Sequence, residues 1–296
     1  MPSHEIMVES GAYKLSGRWR PAADTGSAHP LLIAIHGGSF TSRYFDQPGF
    51  SLLDRAHAAG LSTLALDRPC YGKSEGLSPV DTSFARNAEI LSQTIQQFWE
   101  THGVGHPGIV IIGHSIGAAI TLIAAGLPKR WPLLGIAISG IGLASPSHIA
   151  DAWKSLPDIP AIPLPPDIKR QVMFGPPWSY AAGAPDICMT DDVPTPRSEL
   201  MEIVFEWPKI FPAIAPKVTV PVHYRHAEFD ALWEVNPETI DRVRKGLSAS
   251  PLVDAAIYRN TGHCIDFHRV GAALQLHQIA FAMECAVHPG GDGKQP

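Results

Sequence analysis

The stretch Ile109-Val110-Ile111-Ile112-Gly113-His114-Ser115-Ile116-Gly117 decides the fold of this chain. Its first four residues are an apolar, β-branched run typical of a buried strand, and the small apolar residues Ala118–Ala125 that follow indicate a buried helix. A G-x-S-x-G motif between such elements is typical of a nucleophile elbow. Glycines let strand and helix approach closely, and the N-terminus of the helix directs free N–H groups and a positive dipole end at Ser115. The alternative is a glycine-rich turn with a capping serine.

Apolar strands alternate with helical patterns along most of the chain. This alternation predicts an α/β fold with a mainly parallel sheet, and the fully apolar strands indicate that helices cover both sheet faces. A hairpin is predicted at the start, over Glu5–Glu9 and Tyr13–Trp19. The later predicted strands are Leu31–His36, Ser62–Leu66, Gly108–Ile112, Leu133–Ser139, Val218–Arg225 and Leu252–Tyr258, and the predicted helices are Phe50–Gly60, Phe84–Thr101, Pro237–Lys245 and His268–Cys285.

The strand–helix rhythm stops between residues 144 and 216, a stretch that contains 14 of the 28 prolines and many of the aromatic residues. A structureless loop of that length is uncommon inside a compact domain, and disordered segments are poor in aromatic residues. We therefore expect a cap of short helices over a site. The predicted division is a core formed by residues 1–143 and 217–296, with residues 144–216 as the cap or lid.

Composition excludes several classes of partner. The net charge of -5 has no run of one sign, which argues against nucleic acid and anionic membrane as partners. No apolar stretch is long enough to cross a bilayer, and the polar N-terminus shows no signal peptide. Four widely spaced cysteines are typical of a reducing compartment, so a cytoplasmic protein is expected.

A serine nucleophile needs a base and a group that orients the base, and in this topology the acid and then the histidine follow the serine along the chain. Asp230 lies just beyond a late strand, with Glu228 as the reserve candidate. His263 follows the last strand and is the candidate base. Asp151 and Asp158 are less favoured because they fall within the predicted cap.

A metal site is the competing interpretation of the histidines. His263 lies near Asp266 and His268, and His223 lies near His226. The mixed spacing does not place these ligands on one helical face, and no cysteine pair accompanies them. No cofactor and no metal are therefore expected.

The oxyanion of a tetrahedral intermediate needs backbone donors. We expect one from Ile116, directly after the nucleophile, and the other from Gly38, with Ser39 as second choice. His36 is expected to hold that loop by hydrogen bonds. The candidate substrate-binding residues are Ser39, His114, Trp178 and Trp207, with a purely structural role as the alternative for His114.

Together these features resemble the α/β-hydrolase superfamily, from His36-Gly37-Gly38 through the elbow to His263. The stretch Asp67–Ser74 also resembles the loop that follows the fourth strand in that family. The resemblance implies an eight-stranded, mostly parallel twisted sheet flanked by helices, with a helical cap inserted after the sixth strand. It also implies Ser115 as nucleophile, Asp230 as acid and His263 as base. Ala227 departs from the glycine that many relatives carry before the acid loop.

The favoured function is a cofactor-free serine hydrolase of an ester, thioester or lactone. Its substrate would be a small hydrophobic or aromatic acyl compound, and the protein a monomer or homodimer. An alternative keeps the triad but cleaves a carbon–carbon bond, or tailors a ketone-containing metabolite as a lyase or cyclase. A third hypothesis is a ligand-binding protein without turnover. Arg43 and Arg68 are weaker candidates for pairing with a substrate carboxylate.

Overall fold

The computed structural model describes residues 2–23 and 29–287, and its centre is an eight-stranded sheet. The strands are β1 (His4–Ser10), β2 (Tyr13–Arg20), β3 (Leu31–Ile35), β4 (Thr63–Leu66), β5 (Ile109–His114), β6 (Leu133–Ser139), β7 (Val222–Ala227) and β8 (Val253–Tyr258). Strands β1 and β2 form an antiparallel hairpin, β2 pairs antiparallel with β4, and all other neighbouring strands are parallel. Their order across the sheet is β1-β2-β4-β3-β5-β6-β7-β8. This architecture confirms the predicted fold class.

Helices cover both faces of the sheet. The α-helices of the described residues are α1 (Leu52–Ala58), α2 (Phe84–His102), α3 (Ile116–Gly126), α4 (Ser147–Lys154), α5 (Pro166–Met173), α6 (Ala184–Cys188), α7 (Arg197–Met201), α8 (Trp207–Ile214), α9 (Pro237–Gly246) and α10 (Gly271–Val287). Single turns of 3-10 helix lie at Ser42–Phe45, Pro177–Ser179, Ala215–Lys217 and Ile265–Phe267, and a π-helical turn, Glu202–Glu206, joins α7 to α8. In the part of the chain that the structure describes, no helix combines the length and the hydropathy that crossing a bilayer requires.

Alternate residues of the central strands enter two separate hydrophobic clusters. Ile33 and Ile111 pack on the side of α2 and α3, whereas Leu32 and Val110 pack on the side of α1 and α10. Successive side chains of a strand point to opposite faces, so a strand covered on both faces must be apolar throughout. This requirement explains the continuous apolar runs in the sequence.

Most element boundaries lie within two residues of the prediction, but two elements begin three or four residues later than predicted. Strand β7 begins at Val222 rather than Val218, because the Val218 N–H closes a 3-10 turn onto the Ala215 carbonyl. Helix α10 begins at Gly271 rather than His268, because residues up to Phe267 form a 3-10 turn. By contrast, the expected N-cap of α9 is confirmed, since the Asn236 side chain accepts from the Thr239 N–H.

Between β6 and β7 the chain leaves the sheet for five short helices, α4 to α8. A two-residue antiparallel pairing, Ala161–Ile162 with Thr195–Pro196, ties this stretch together. We refer to it as the 144–216 segment; its limits as a domain stay a prediction. The last residues assigned to the core in the sequence analysis, 288–296, lie outside the described residues.

Candidate active site

Ser115 stands at a sharp turn between β5 and α3. Its backbone has φ 55° and ψ −123°, a left-handed conformation that non-glycine residues rarely adopt. The flanking glycines are required by packing. A Cβ at Gly117 would overlap the carbonyl oxygen of Ile35, and one at Gly113 would lie 2.5 Å from Thr121 Oγ1. The turn thus holds Ser115 at the carboxyl end of the sheet.

The structure brings Ser115, His263 and Asp230 together, although they are far apart in sequence. His263 Nε2 lies 2.9 Å from Ser115 Oγ, and His263 Nδ1 lies 2.8 Å from Asp230 Oδ2. The second carboxylate oxygen of Asp230 accepts from the Leu232 N–H at 3.0 Å. Because a carboxylate only accepts, Nδ1 carries the proton and the Nε2 lone pair faces the serine hydroxyl.

The surroundings of His263 stabilise the imidazolium that forms when the neutral ring takes up a proton at Nε2. His263 is almost completely buried, and burial alone would lower its pKa. The charge of Asp230 and its hydrogen bond outweigh burial, so the pKa of His263 is raised above its ordinary value. An imidazolium that forms when Ser115 loses its proton is therefore stabilised where it stands.

Two further titratable groups near the base, Glu228 and His268, are bound to other partners. Glu228 Oε2 accepts from the Asn260 N–H at 2.7 Å, away from His263. His268 accepts from the Gly262 N–H at 2.8 Å and donates to the Cys264 carbonyl at 2.9 Å, so it holds the loop on both sides of His263. Within residues 2–23 and 29–287, no three His, Cys, Asp or Glu side chains are grouped as metal ligands would be.

The loop after β3 passes beside the nucleophile. His36 donates to the Gly37 carbonyl at 2.7 Å and accepts from the Arg68 N–H at 3.0 Å, and thus holds this loop as expected. A Cβ at Gly37 would lie 2.9 Å from the Cβ of Ser115, so only glycine allows this approach. Among the described residues, none accepts a hydrogen bond from the backbone N–H of Gly38 or Ile116. Both N–H groups therefore remain uncommitted within the described part of the chain.

The 144–216 segment is hydrogen-bonded to the same loop at Ser39. The Ser39 backbone has a φ of 63°, which is also left-handed. Ser39 Oγ lies 2.8 Å from Thr195 Oγ1. The Ser39 carbonyl accepts from the Val193 N–H and from Lys169 Nζ, each at 3.2 Å. The Lys169 side chain is fully buried and is also paired with Asp192. These contacts fix the loop conformation from above.

A buried ion pair makes a second connection between segment and loop. Arg68 and Glu199 are both fully buried and form two hydrogen bonds, of 2.7 and 3.0 Å. Arg68 also donates to the carbonyls of His36 and Gly37, at 3.0 and 3.2 Å, and the Tyr71 hydroxyl donates to Glu199. Arg68 is therefore occupied by protein groups.

The second weak candidate, Arg43, is paired with Asp191 at 2.7 Å. Lys169 and Glu199 were not predicted from the sequence, because only the fold brings Lys169 to Ser39 and Glu199 to Arg68.

A cavity of about 40 Å³ lies between Ser115 and the 144–216 segment. Its lining residues are Gly38, Ser39, Phe40, Ser115, Ile116, Ser145, Ile149, Trp153, Leu164, Met173, Thr195, Leu200, Ile203, Val204, Leu232, Trp233 and His263. Small-molecule sites usually enclose about 300–1,000 Å³. The space is therefore narrow, and its walls are largely apolar.

Three of the four candidate substrate-binding residues lie away from the cavity lining. Trp178 is 58% exposed at the surface, and Trp207 is fully buried with its indole donating to the Gly142 carbonyl at 3.0 Å. His114 stacks on Tyr44 beneath the elbow. Ser39 does line the cavity, and the tryptophans there are Trp153 and Trp233. Aromatic composition indicated the right segment without distinguishing which side chains face inwards.

The sequence is similar to that of a curated protein over part of its length. A curated relative, protein phosphatase methylesterase 1 of Pongo abelii, is 26% identical over 117 residues, which is 40% of this chain and 29% of that protein. The alignment thus spans less than a third of the relative's length.

Solved structures match along nearly the whole chain. A carboxyl esterase from Bacillus coagulans superposes with a TM-score of 0.68 at 17% identity, covering 97% of this chain and 100% of the other. An esterase from Exiguobacterium antarcticum gives 0.68 at 12% identity, covering 94% and 99%. The thioesterase domain from the curacin biosynthetic pathway gives 0.62 at 15% identity, covering 94% and 100%.

The family comparison covers most of the sequence. The alpha/beta hydrolase family matches residues 32–273, a range that begins in β3 and ends in α10. That range contains the elbow and all three of Ser115, Asp230 and His263. The chain belongs to the alpha/beta hydrolase family.

Proposed function

We propose that this protein is a serine hydrolase that cleaves an ester, thioester or lactone of a small hydrophobic molecule through an acyl-enzyme intermediate. The observation that carries the proposal is the 2.9 Å approach of His263 Nε2 to Ser115 Oγ, with Asp230 on the other ring nitrogen. A serine hydroxyl becomes a useful nucleophile only beside such an oriented base. The esterases and the thioesterase with the same fold support this class of bond.

The mechanism follows from the positions of the donors and acceptors. Ser115 Oγ attacks the carbonyl carbon while its proton moves to His263 Nε2, and Asp230 balances the new positive charge. The carbonyl oxygen becomes an oxyanion, for which we propose the N–H groups of Gly38 and Ile116 as donors. His263 then gives its proton to the leaving alcohol or thiol. Water, activated by the same imidazole, releases the acid.

We propose further that the 144–216 segment acts as a cap over this site. Support comes from the cavity lining, in which Ile149, Trp153, Leu164 and Leu200 are among the segment's contributions. Apolar walls favour a hydrophobic acyl group, and a space of about 40 Å³ favours a short one. The four free thiols are compatible with the expected reducing compartment.

Covalent labelling tests the proposal directly. The purified protein is incubated with a fluorophosphonate, and the labelled peptide is mapped by mass spectrometry. We expect one adduct, on Ser115, that disappears in Ser115→Ala and is accompanied by turnover of p-nitrophenyl acetate. Folded wild-type protein that neither labels nor turns over short esters would contradict the proposal and favour a binding protein.

A further inference from the structure

Two polar atoms in the wall of the active-site cavity have no hydrogen-bond partner among the residues that the structure describes. They are the indole Nε1 of Trp153 and the hydroxyl Oγ of Ser145, and both atoms are buried. Both residues line the cavity beside Ser115. Buried polar groups in folded proteins are almost always paired, so an unpaired one in a ligand site indicates a partner supplied by the ligand.

Four other polar side chains of the lining are paired with one another. Ser39 pairs with Thr195 at 2.8 Å, and Ser115 pairs with His263 at 2.9 Å. Most other lining side chains are aliphatic or aromatic. Trp153 and Ser145 therefore offer free hydrogen-bonding groups on the wall formed by the 144–216 segment.

The chemistry of the two groups defines what they can bind. An indole N–H only donates, and a serine hydroxyl can donate as well as accept. A ligand group that satisfies both is an oxygen acceptor. No lysine or arginine lines the cavity, so a carboxylate there would be buried without a counter-charge. The acceptor must therefore be neutral, such as an ether, hydroxyl or ketone oxygen.

We propose that the acyl group of the substrate is short and carries a neutral oxygen acceptor that pairs with Trp153 Nε1 and Ser145 Oγ. This inference rests on the proposed ester hydrolysis and adds the class of acyl group. Trp153 lies on α4, one turn beyond Ile149, whose side chain lines the same wall. An acyl group held between this wall and Ser115 would place its acceptor away from the scissile carbonyl.

The test compares esters that differ only by one oxygen. The p-nitrophenyl esters of butanoate and methoxyacetate form one matched pair, and those of pentanoate and 3-methoxypropanoate form a second. Each kcat/KM is divided by the hydroxide-catalysed rate constant of the same ester, which removes the inductive effect of the oxygen. We expect wild type to prefer the oxygen-bearing member of at least one pair by about tenfold, the value of one good hydrogen bond.

Variants distinguish a specific contact from a structural effect. Trp153→Phe keeps an aromatic ring but removes the donor, so the ratio of kcat/KM between the two members of a pair should fall to about one, whatever the change in the absolute rates. Ser145→Ala should weaken the preference in the same direction. The control is Trp178→Phe, at an exposed tryptophan of the same segment, and it should change kcat/KM for neither ester of a pair.

The possible failures are distinguishable. Wild type that hydrolyses the all-carbon esters without preference in either pair would overturn the inference and leave ester hydrolysis intact. Equal losses on both members of a pair in Trp153→Phe would overturn it as well, by assigning Trp153 to packing. Wild type that hydrolyses none of the four esters and does not label at Ser115 would overturn the proposed function itself.

Discussion

Replacing Glu199 by glutamine tests how the 144–216 segment is held on the sheet. The substitution is nearly isosteric, but it leaves the fully buried guanidinium of Arg68 without a counter-charge. Breaking a buried pair in this way costs about 3–5 kcal/mol. Arg68 would keep the carbonyls of His36 and Gly37 as neutral acceptors, which places the expected loss near ~3 kcal/mol. That is a large fraction of a typical stability of about 5–15 kcal/mol.

The assay is urea unfolding followed by tryptophan fluorescence, with the free energy of unfolding extrapolated to water. The matched control is Glu206→Gln, which makes the same chemical change in an exposed pair with Lys209 at 2.8 Å. Exposed pairs contribute about 0–1 kcal/mol, so the control should unfold almost as wild type does.

A double variant adds an internal check. Arg68→Met combined with Glu199→Gln should lose less stability than the sum of the two single variants, because no buried charge is then left unpaired. If Glu199→Gln were no less stable than Glu206→Gln, the guanidinium would not depend on its partner and the reasoning would be refuted.

Three further changes probe the site. Wild-type kcat/KM should fall as the pH drops through a midpoint above 6.5, because the base is neutral His263 and its pKa is raised. A midpoint below 6.5 would contradict this assignment. Asp230→Asn should lower kcat by about 10⁴. Gly117→Ala should lower the free energy of unfolding by more than ~3 kcal/mol or prevent folding, because the new Cβ overlaps two carbonyl oxygens. The control is Gly183→Ala, whose new Cβ meets open space. In the same urea titration its free energy of unfolding should stay within about 0.5 kcal/mol of wild type. Lys169→Met should lower kcat for p-nitrophenyl acetate about tenfold with little change in KM, because the Ser39 carbonyl loses a donor. Lys169→Arg should recover part of the lost kcat. A change in KM alone would argue against a role of Lys169 in positioning the loop at Ser39.

Sequence reasoning was most successful where the fold leaves little choice. The carboxyl ends of parallel strands meet at one edge of the sheet, so an acid after β7 and a histidine after β8 had to approach the turn after β5. The structure accordingly places Asp230, and not Glu228, beside His263. Local rules also predicted the N-cap of α9 correctly.

The failures concern contacts that only the folded chain creates. Glu199 lies 131 residues from Arg68 in sequence, and no periodicity links the two. Trp178 and Trp207 belong to the expected segment, but composition does not specify which aromatic side chain faces the cavity. Irregular helices separated by prolines give no repeating face from which orientation could be read.

The hydrogen bonds between the 144–216 segment and the loop after β3 have a consequence for turnover. The free space of about 40 Å³ beside Ser115 is small, so a larger substrate would fit there only if that segment shifted. The same shift would pull on Ser39 through Lys169, and on His36 through Arg68. Substrate entry would then require these hydrogen bonds to break, whereas bond cleavage requires them to hold the loop in place. In a partly open state the substrate would lie beside Ser115 while this loop is displaced.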